Sequence, residues 1–357
     1  MNMKKSLLFV TVMSLSIAIN AQTIVIDGSN ADWAEVPMLN EPGVTPVFKM
    51  IVPQEGLTLP EDAAICVMVE RTEAEKTTYP GAPVTYVDAD KDVSTTEAAD
   101  AWYCPSFGPD YEMGAWDGNS GAASEDGTMD EVLIVKSKFE GIPFAGDCYA
   151  WLLFNWAKLL PNSPLENEWK WDEGTYHPIY ARPFAFADLN GTHSAATVYS
   201  SHEALTIGSA INMHLSGAND TLLWVSWAVE LKESAKFDIK ANISSSNAAS
   251  VDLKLVSTAT NKIVAEYKSV DLAAGADVTI GEWDLTAVPA GKYMLKFSNH
   301  VQWSEMILNS LTLAAQGEQS GVETTTSNKK VVKFIRNGQV FFIRDGKTFN
   351  ALGAEVR

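Results

Sequence analysis

The sequence is short of positive charge. Its 357 residues include 26 Lys and Arg against 45 Asp and Glu, which gives a formal net charge of -19 at pH 7. Proteins that bind nucleic acids or anionic membrane surfaces need a cationic surface. We therefore expect neither kind of partner.

Cysteine is also scarce, with only Cys66, Cys104 and Cys148. An odd number at wide spacing predicts no disulfide framework, and no CxxC or Cys/His spacing indicates zinc. One disulfide with a leftover thiol remains open, and buried free thiols are the interpretation we adopt.

Recognisable catalytic motifs are missing as well. The sequence contains no GxSxG, P-loop or dinucleotide fingerprint. The stretch HEALT, His202 to Thr206, begins like a zinc-protease helix, but Thr206 stands where the second His ligand is required. We predict a non-enzyme. A cryptic glycan-active hydrolase stays an alternative, because a glycosidase carboxylate pair is defined by its separation in space and leaves no motif.

Long apolar runs are absent after the first residues. Two lysines precede an apolar run at Leu7–Ile19, and the small residue Ala21 stands before Gln22. This layout predicts a signal peptide, because the run is shorter than the roughly 20 residues that span a bilayer. We expect an exported protein at the cell surface, in the periplasm or secreted, with no membrane span after cleavage.

Patterns typical of β-strands dominate the sequence. Leu223, Val225 and Trp227 begin one of several stretches in which apolar residues alternate with smaller or polar ones. A period of two predicts antiparallel strands with one buried face. Turn clusters such as Pro289-Ala290-Gly291 follow at the spacing of a β-sandwich.

These patterns predict an all-β protein with two jelly-roll-like β-sandwich domains and a short C-terminal three-stranded β-meander. The predicted segments are a signal peptide (1–21), an N-terminal sandwich with long loops (22–193), a jelly roll (194–315), a linker (316–328) and a tail (329–357).

The N-terminal part carries the first family resemblance. IVIDGSNADWAEVPML, Ile24 to Leu39, resembles the opening of family 9 carbohydrate-binding modules and of DOMON-like sandwiches. VDADKDVSTTEAADAW and GPDYEMGAWDG look like the acidic loop of that family and its aromatic continuation. The resemblance implies a sandwich fold and a polysaccharide or glycoconjugate as ligand.

Residues from about 194 to 315 resemble the galactose-binding-like jelly roll of family 6 and family 35 carbohydrate-binding modules. WDLTAVPAGKYMLKFSN and WSEMILNSLTL carry this resemblance. In those families loops near the last strands often build the sugar cleft, which implies a role for Asn299, Gln302 and Trp303 here. The usual aromatic pair of the family is not evident near these residues.

Aromatic residues suggest a second place for a sugar. The chain has 11 Trp, and flat rings can stack on sugars while neighbouring polar groups bind the hydroxyls. Trp102, Tyr103, Trp116, Asp117 and Asn119 combine both kinds of group in a loop-rich region. Glycan binding is the leading function, and a structural or adhesive surface protein that binds other proteins is a further alternative.

The tail differs from the rest of the chain in its basic charge and its turn-forming dipeptides. IRNGQVFFIRDGKTFN, Ile335 to Asn350, contains Asn-Gly and Asp-Gly pairs that favour two-residue hairpin turns. Residues 329–357 hold seven Lys or Arg and two acidic residues. The tail resembles the end of the C-terminal sorting domains of type IX secretion cargo, although it is shorter. This resemblance implies the secretion machinery as a partner.

Asp88, Asp90 and Asp92 form a D-x-D-x-D run that suits a hard cation such as Ca²⁺, because alternate residues share a face. The run does not fit an EF-hand, and a solvated acidic turn is the alternative. If calcium binds, the melting temperature of the full chain rises with added Ca²⁺ by mass action. Thermal unfolding in Ca²⁺ and in chelator tests this, and coincident curves exclude the site.

Overall fold

The computed structural model contains strands almost throughout. The structure describes residues 22–54, 56–78, 84–88, 101–103, 120–136, 147–154, 158–160, 179–202, 205–214, 223–246, 249–272, 275–299, 305–316, 332–336, 339–344, 347–350 and 355–356. The chain divides into two compact units between Gln316 and Gly317. The predicted all-β fold class is confirmed.

The strands of the N-terminal part are short to medium in length. They are β1 (Gln22–Thr23), β2 (Val47–Ile51), β3 (Leu57–Thr58), β4 (Ala63–Glu70), β5 (Val84–Asp88), β6 (Ala101–Tyr103), β7 (Ser120–Ala123), β8 (Met129–Val135), β9 (Cys148–Phe154) and β10 (Lys158–Leu160).

The strands that follow become longer toward Gln316. They are β11 (Ile179–Ala181), β12 (Ala187–Asp188), β13 (Gly191–Ser194), β14 (Ser200–Ser201), β15 (Thr206–Ile207), β16 (Ile211–His214), β17 (Leu223–Leu231), β18 (Lys236–Ser246), β19 (Ala249–Ser257), β20 (Ile263–Leu272), β21 (Gly275–Asp284), β22 (Gly291–Asn299) and β23 (Glu305–Ala315).

Helix is scarce. The described residues form one short α-helix, α1 (Glu75–Thr78), and 3₁₀ turns at Ala31–Trp33 and Ala195–Thr197. Within the described part of the chain, no helix is long and apolar enough to cross a membrane.

Three sheets organise the larger unit. The first sheet has the order β2-β4-β8-β7, and the third sheet has the order β15-β16-β23-β18-β21 with β13 beside β23. The central sheet has the order β20-β19-β22-β17-β14-β11-β9-β5-β6, with β10 beside β9 and β12 beside β17. Strands from both sides of residue 193 therefore share the central sheet, and a division into independently folding domains there stays a prediction.

The central sheet is covered on both faces along β17. Val225, Trp227 and Val229 lie in the core shared with the third sheet, whereas Trp224 lies in the core that also contains residues of the first sheet. The alternation in the sequence predicted half-buried strands. For β17 that expectation is wrong, because the first sheet also buries the second face, and Ser226 is 0% exposed.

A third core lies on the other face of the first sheet. Ile24, Trp33 and Val36 pack there with Cys66 of β4 and Leu133 of β8. The N-terminal segment therefore forms a cover over the first sheet. From the cover to the third sheet, three apolar cores stack on one another.

Buried lysines connect these layers. Lys49 of β2 donates from Nζ to the Trp33 carbonyl at 2.9 Å and to the Thr258 carbonyl at 3.0 Å. Lys296 of β22 is 1% exposed and pairs with Glu41. The ammonium groups thus join the cover and the first sheet to the strands of the jelly roll.

The two described cysteines are buried, and Cys66 is a free thiol as predicted. Cys66 lies in β4 and Cys148 in β9. Burial raises the pKa of Cys66 to about 12, and the charges of Glu131 and Asp32 act in the same direction. The Cys66 thiol is therefore not disposed to react, and Cys104 lies outside the described residues.

The second unit forms a separate tail sheet. Its strands are β24 (Val332–Arg336), β25 (Gln339–Arg344), β26 (Lys347–Asn350) and β27 (Glu355–Val356), antiparallel and paired in chain order. The predicted three strands are confirmed, and β27 adds a short fourth. The two predicted Gly-containing turns lie outside the described residues.

Lys49→Met should change how stability depends on alkaline pH. Burial lowers the pKa of Lys49 to about 8, although the charge of Glu70 acts to raise it. The pKa of a lysine in an unfolded chain is about 10.4. Between these values the unfolded chain binds a proton that the folded chain releases, so stability rises with pH.

Between pH 8 and pH 10, the free energy of unfolding of the wild type should rise by up to roughly 3 kcal/mol relative to that of Lys49→Met. Urea unfolding of both proteins across this range measures the difference. Lys240→Met, at an exposed lysine of β18, is the control and should follow the wild type. Parallel pH profiles for wild type and Lys49→Met would contradict the prediction.

Candidate functional site

The Ile24–Leu39 motif is held by one buried carboxylate. Glu131 of β8 is 0% exposed. Its Oε2 accepts the backbone N–H groups of Asp27 at 2.9 Å and Gly28 at 2.6 Å, and its Oε1 accepts the indole N–H of Trp33 at 2.5 Å. The Asp-Gly turn and the tryptophan are therefore parts of a single structural cluster.

Backbone geometry explains the glycine of this motif. Gly28 has φ +81°, and a Cβ at this position would lie 2.5 Å from the Ala123 carbonyl oxygen. Burial raises the pKa of Glu131, and the donors from Gly28, Trp33 and Asp27 act to lower it. The motif thus stabilises the cover over the first sheet and offers no ring to a ligand.

The described tryptophan side chains are all internal. Trp33, Trp224, Trp227 and Trp283 are at most 4% exposed. A sugar platform must therefore come from the other tryptophans, and Trp102, Trp116 and Trp303 were predicted among them.

One end of the jelly roll gathers several strand ends, and we call it the loop end. Leu223 at the start of β17 and Val251 of β19 both pair with Asn299, the last residue of β22. His214, the last residue of β16, pairs with Glu305, which begins β23. The connections 215–222, 247–248, 273–274 and 300–304 all start and finish here.

Buried polar side chains surround the loop end. His202, Asp252, Ser298 and Asn299 are 7%, 8%, 0% and 1% exposed. Burial of polar groups is costly unless they find partners, and the Ser298 hydroxyl has none among the described residues. The loop end therefore carries a cluster of buried polar side chains beside the apolar core.

Asn299 is the one predicted sugar-binding residue whose side chain the structure describes. It is almost fully buried and occupies the same face as Leu223 and Val251 of the core. This position fixes one end of the connection 300–304. Its role in contacting a sugar stays a prediction.

The other predicted site residues are placed only in part. Trp102 and Tyr103 lie in β6 at successive positions and so on opposite faces of the central sheet. The remaining predicted glycan-binding residues lie outside the described residues, and these are Trp116, Asp117, Asn119, Gln302 and Trp303.

The predicted calcium site is likewise placed only at its first residue. Asp88 ends β5, and Asp90 and Asp92 lie outside the described residues. Among the residues that the structure describes, no group of three or more His, Cys, Asp or Glu is arranged to hold a metal ion.

Sequence reasoning missed Glu131 altogether. Its only signal is an acidic pair, Asp130 and Glu131, inside the otherwise apolar strand MDEVLIV. Asp130 forms an ion pair with Arg71 at 2.6 Å. Both carboxylates therefore hold parts of the fold together through buried partners.

No family model and no curated protein matches the chain, so the resemblances to families stay predictions. Several solved structures show partial likeness. The mannan-binding module from Man5C in its bound conformation is 21% identical, with TM-score 0.24, over 35% of this chain and 98% of the module.

The second solved structure is the Podospora anserina GH26-CBM35 β-(1,4)-mannanase, which is 14% identical with TM-score 0.21, over 36% of this chain and 28% of that one. The secreted serine protease VesC from Vibrio cholerae is 10% identical with TM-score 0.21, over 76% of this chain and 48% of that one. TM-scores this low transfer neither fold nor ligand.

Trp33→Phe should destabilise the protein by about 1–3 kcal/mol, because it leaves a buried carboxylate oxygen of Glu131 without a donor. The loss should be larger at pH 7 than at pH 4. Removing a donor raises the folded pKa of Glu131 still further, so the cost develops as the pH rises above the folded wild-type pKa of Glu131, which burial has already raised, and it vanishes below that pKa.

Chemical denaturation at the two pH values measures this effect. Trp227→Phe is the matched control, because that indole donates to the neutral Ser194 carbonyl at 3.0 Å, and its cost should not depend on pH. An equal loss for Trp33→Phe at pH 4 and pH 7 would refute the assignment of Glu131 as an ionised acceptor.

Proposed function

We propose that this protein is an exported, non-catalytic glycan-binding protein whose ligand binds at the loop end of the jelly roll. The observation that carries the proposal is the loop end itself, where four connections and a cluster of buried polar residues meet on rigid strands. Binding residues commonly sit on loops that a rigid scaffold positions.

The connection 300–304 supplies the chemistry. It contains Gln302 and Trp303. Its two ends are held by Asn299, which pairs with Leu223, and by Glu305, which pairs with His214. An indole can stack on the apolar face of a sugar ring, and a primary amide can both donate to and accept from hydroxyl groups.

The net charge narrows the class of glycan. A formal charge of -19 repels polyuronates and sulfated polysaccharides, because the field of the whole protein acts on charged ligands. Neutral polysaccharides are therefore the ligands of choice.

Export and the role of the tail rest on the sequence. The Leu7–Ile19 run supports secretion, and the basic tail that ends in the tail sheet supports contact with secretion machinery. A four-stranded sheet of short strands buries little surface by itself, which suits a recognition element.

Trp303→Ala should lower the affinity for a neutral polysaccharide about tenfold or more, equivalent to about 1.4 kcal/mol. The reason is the loss of a stacking ring. Affinity electrophoresis of the full chain in galactomannan, xylan and β-glucan identifies the ligand, and calorimetry with the bound polysaccharide measures the change.

Thr260→Ala is the matched control, since Thr260 is exposed in the connection between β19 and β20 at the opposite end of the sandwich. It should bind like the wild type. If the folded wild type shows no mobility shift in any of the three polysaccharides, the proposed function is wrong.

A further inference from the structure

Residues 187–194 cross from the central sheet to the third sheet, and we call them the crossing segment. Strand β12 pairs with β17 of the central sheet, and β13 pairs with β23 of the third sheet. Among the described strands, the four-residue β13 pairs with β23 alone. Segments with few strand pairings open at a lower free energy than strands in the middle of a sheet. The crossing segment is therefore suited to local opening.

A histidine of the crossing segment lies inside the jelly-roll core. His193 of β13 is 0% exposed and stands directly opposite Leu311 of β23. The centroid of its imidazole lies 6.0 Å from that of the Trp227 ring. Leu311 and Trp227 both belong to the core between the central and third sheets. The imidazole therefore fills a place between the two sheets.

One nitrogen of this imidazole has a partner and the other has none among the described residues. Nε2 of His193 lies 3.3 Å from the carbonyl oxygen of Leu189. A carbonyl only accepts, so Nε2 carries the proton and donates it. Nδ1 is then the acceptor nitrogen of a neutral ring, and it is buried without a donor. This orphaned acceptor destabilises the folded state, whereas an apolar side chain in the same place would not.

The residues that meet the imidazole from the neighbouring strands carry no charge. Leu311 of β23 is apolar, and the indole N–H of Trp227 of β17 donates to the Ser194 carbonyl at 3.0 Å. An indole has a donor and no acceptor atom. A proton added to Nδ1 of His193 therefore finds no hydrogen-bond acceptor on these two residues.

Asp188 is the charged group that acts on the imidazole from within the crossing segment. Its carboxylate is already engaged, because it pairs with Lys232 at 2.8 Å and accepts the backbone N–H of Asn190 at 3.0 Å. Burial lowers the pKa of His193, although the Leu189 carbonyl and the charge of Asp188 act to raise it. The closed segment therefore resists a proton that an open segment accepts below the ordinary histidine pKa of about 6.5.

We propose that His193 is an acid-sensitive switch, which keeps the crossing segment closed at neutral pH and releases it locally at mildly acidic pH. Release separates β13 from β23 and exposes Nδ1 to water, while β23 stays paired with β16 and β18. Protonation of the open form favours opening by up to about tenfold per pH unit below about 6.5, and the effect levels off below the pKa of the closed form. The switch does not depend on the proposed glycan binding.

Hydrogen exchange of the full-length wild-type chain tests the switch. Peptide mass spectrometry gives the protection of each segment, corrected for the intrinsic pH dependence of exchange. Between pH 7 and pH 5 the peptide that covers 187–194 should lose protection, while peptides from β18 and β22 should keep theirs. Unchanged protection of 187–194 would overturn the inference. So would an equal loss in all three peptides, which would show global acid unfolding.

A substitution identifies the group that titrates. His193→Gln retains an N–H group for the Leu189 carbonyl but has no titratable nitrogen, so the protection of 187–194 should be the same at pH 5 and pH 7. His202→Gln is the matched control, because it removes another buried histidine, at the loop end, and the acid-induced loss should persist. A loss in His193→Gln as large as that in the wild type would refute the switch.

The ring itself can be observed without any substitution. Nitrogen chemical shifts of the His193 imidazole in the wild type report its tautomer and its charge. We expect a neutral ring with the proton on Nε2 at pH 7, and protonation over the same pH range in which 187–194 loses protection. A proton on Nδ1 of the neutral ring, or a charged ring at pH 7, would contradict the assignment.

Discussion

The buried ammonium group of Lys49 is the constraint on which the larger unit depends. A charge away from water is costly unless hydrogen-bond acceptors surround it, and the acceptors here come from distant parts of the chain, the Trp33 and Thr258 carbonyls. The cover, the first sheet and the jelly roll must therefore assemble together to satisfy one side chain. Glu131 acts in the same way within the cover, where it orients Trp33. Through these hydrogen bonds, Lys49 and Glu131 hold the cover, the first sheet and the jelly roll together.

Local patterns predicted the strands well. The alternation at Leu223, Val225 and Trp227 correctly identified the residues that face the jelly-roll core. The same alternation failed to predict the burial of Trp224 and Ser226, because a period of two reports the contrast between two faces and not what covers the second face. That cover comes from the first sheet, far away in sequence. Layer order is a property of tertiary packing that a strand does not encode.

The candidate sites show a similar limit. The Ile24–Leu39 motif was recognised, but its physical role depends on Glu131, a residue about a hundred positions later whose sequence context offers only an unexpected acid in an apolar strand. Trp102 was named as a glycan-binding residue from composition. Composition does not show that the register between β6, β5 and β9 places this position opposite Tyr86, and Tyr86 opposite Trp151. Composition can suggest a kind of chemistry, whereas register decides which residues can act together.

Layering also determines where a ligand can bind. In most sandwiches an outer sheet face is available, but over the jelly roll the central sheet has a core on each side. The ends of this sheet, where connections emerge, then remain as surfaces, and the loop end is one of them. The packing that the buried lysines stabilise therefore leaves no access for a ligand to the middle of the central sheet over the jelly roll.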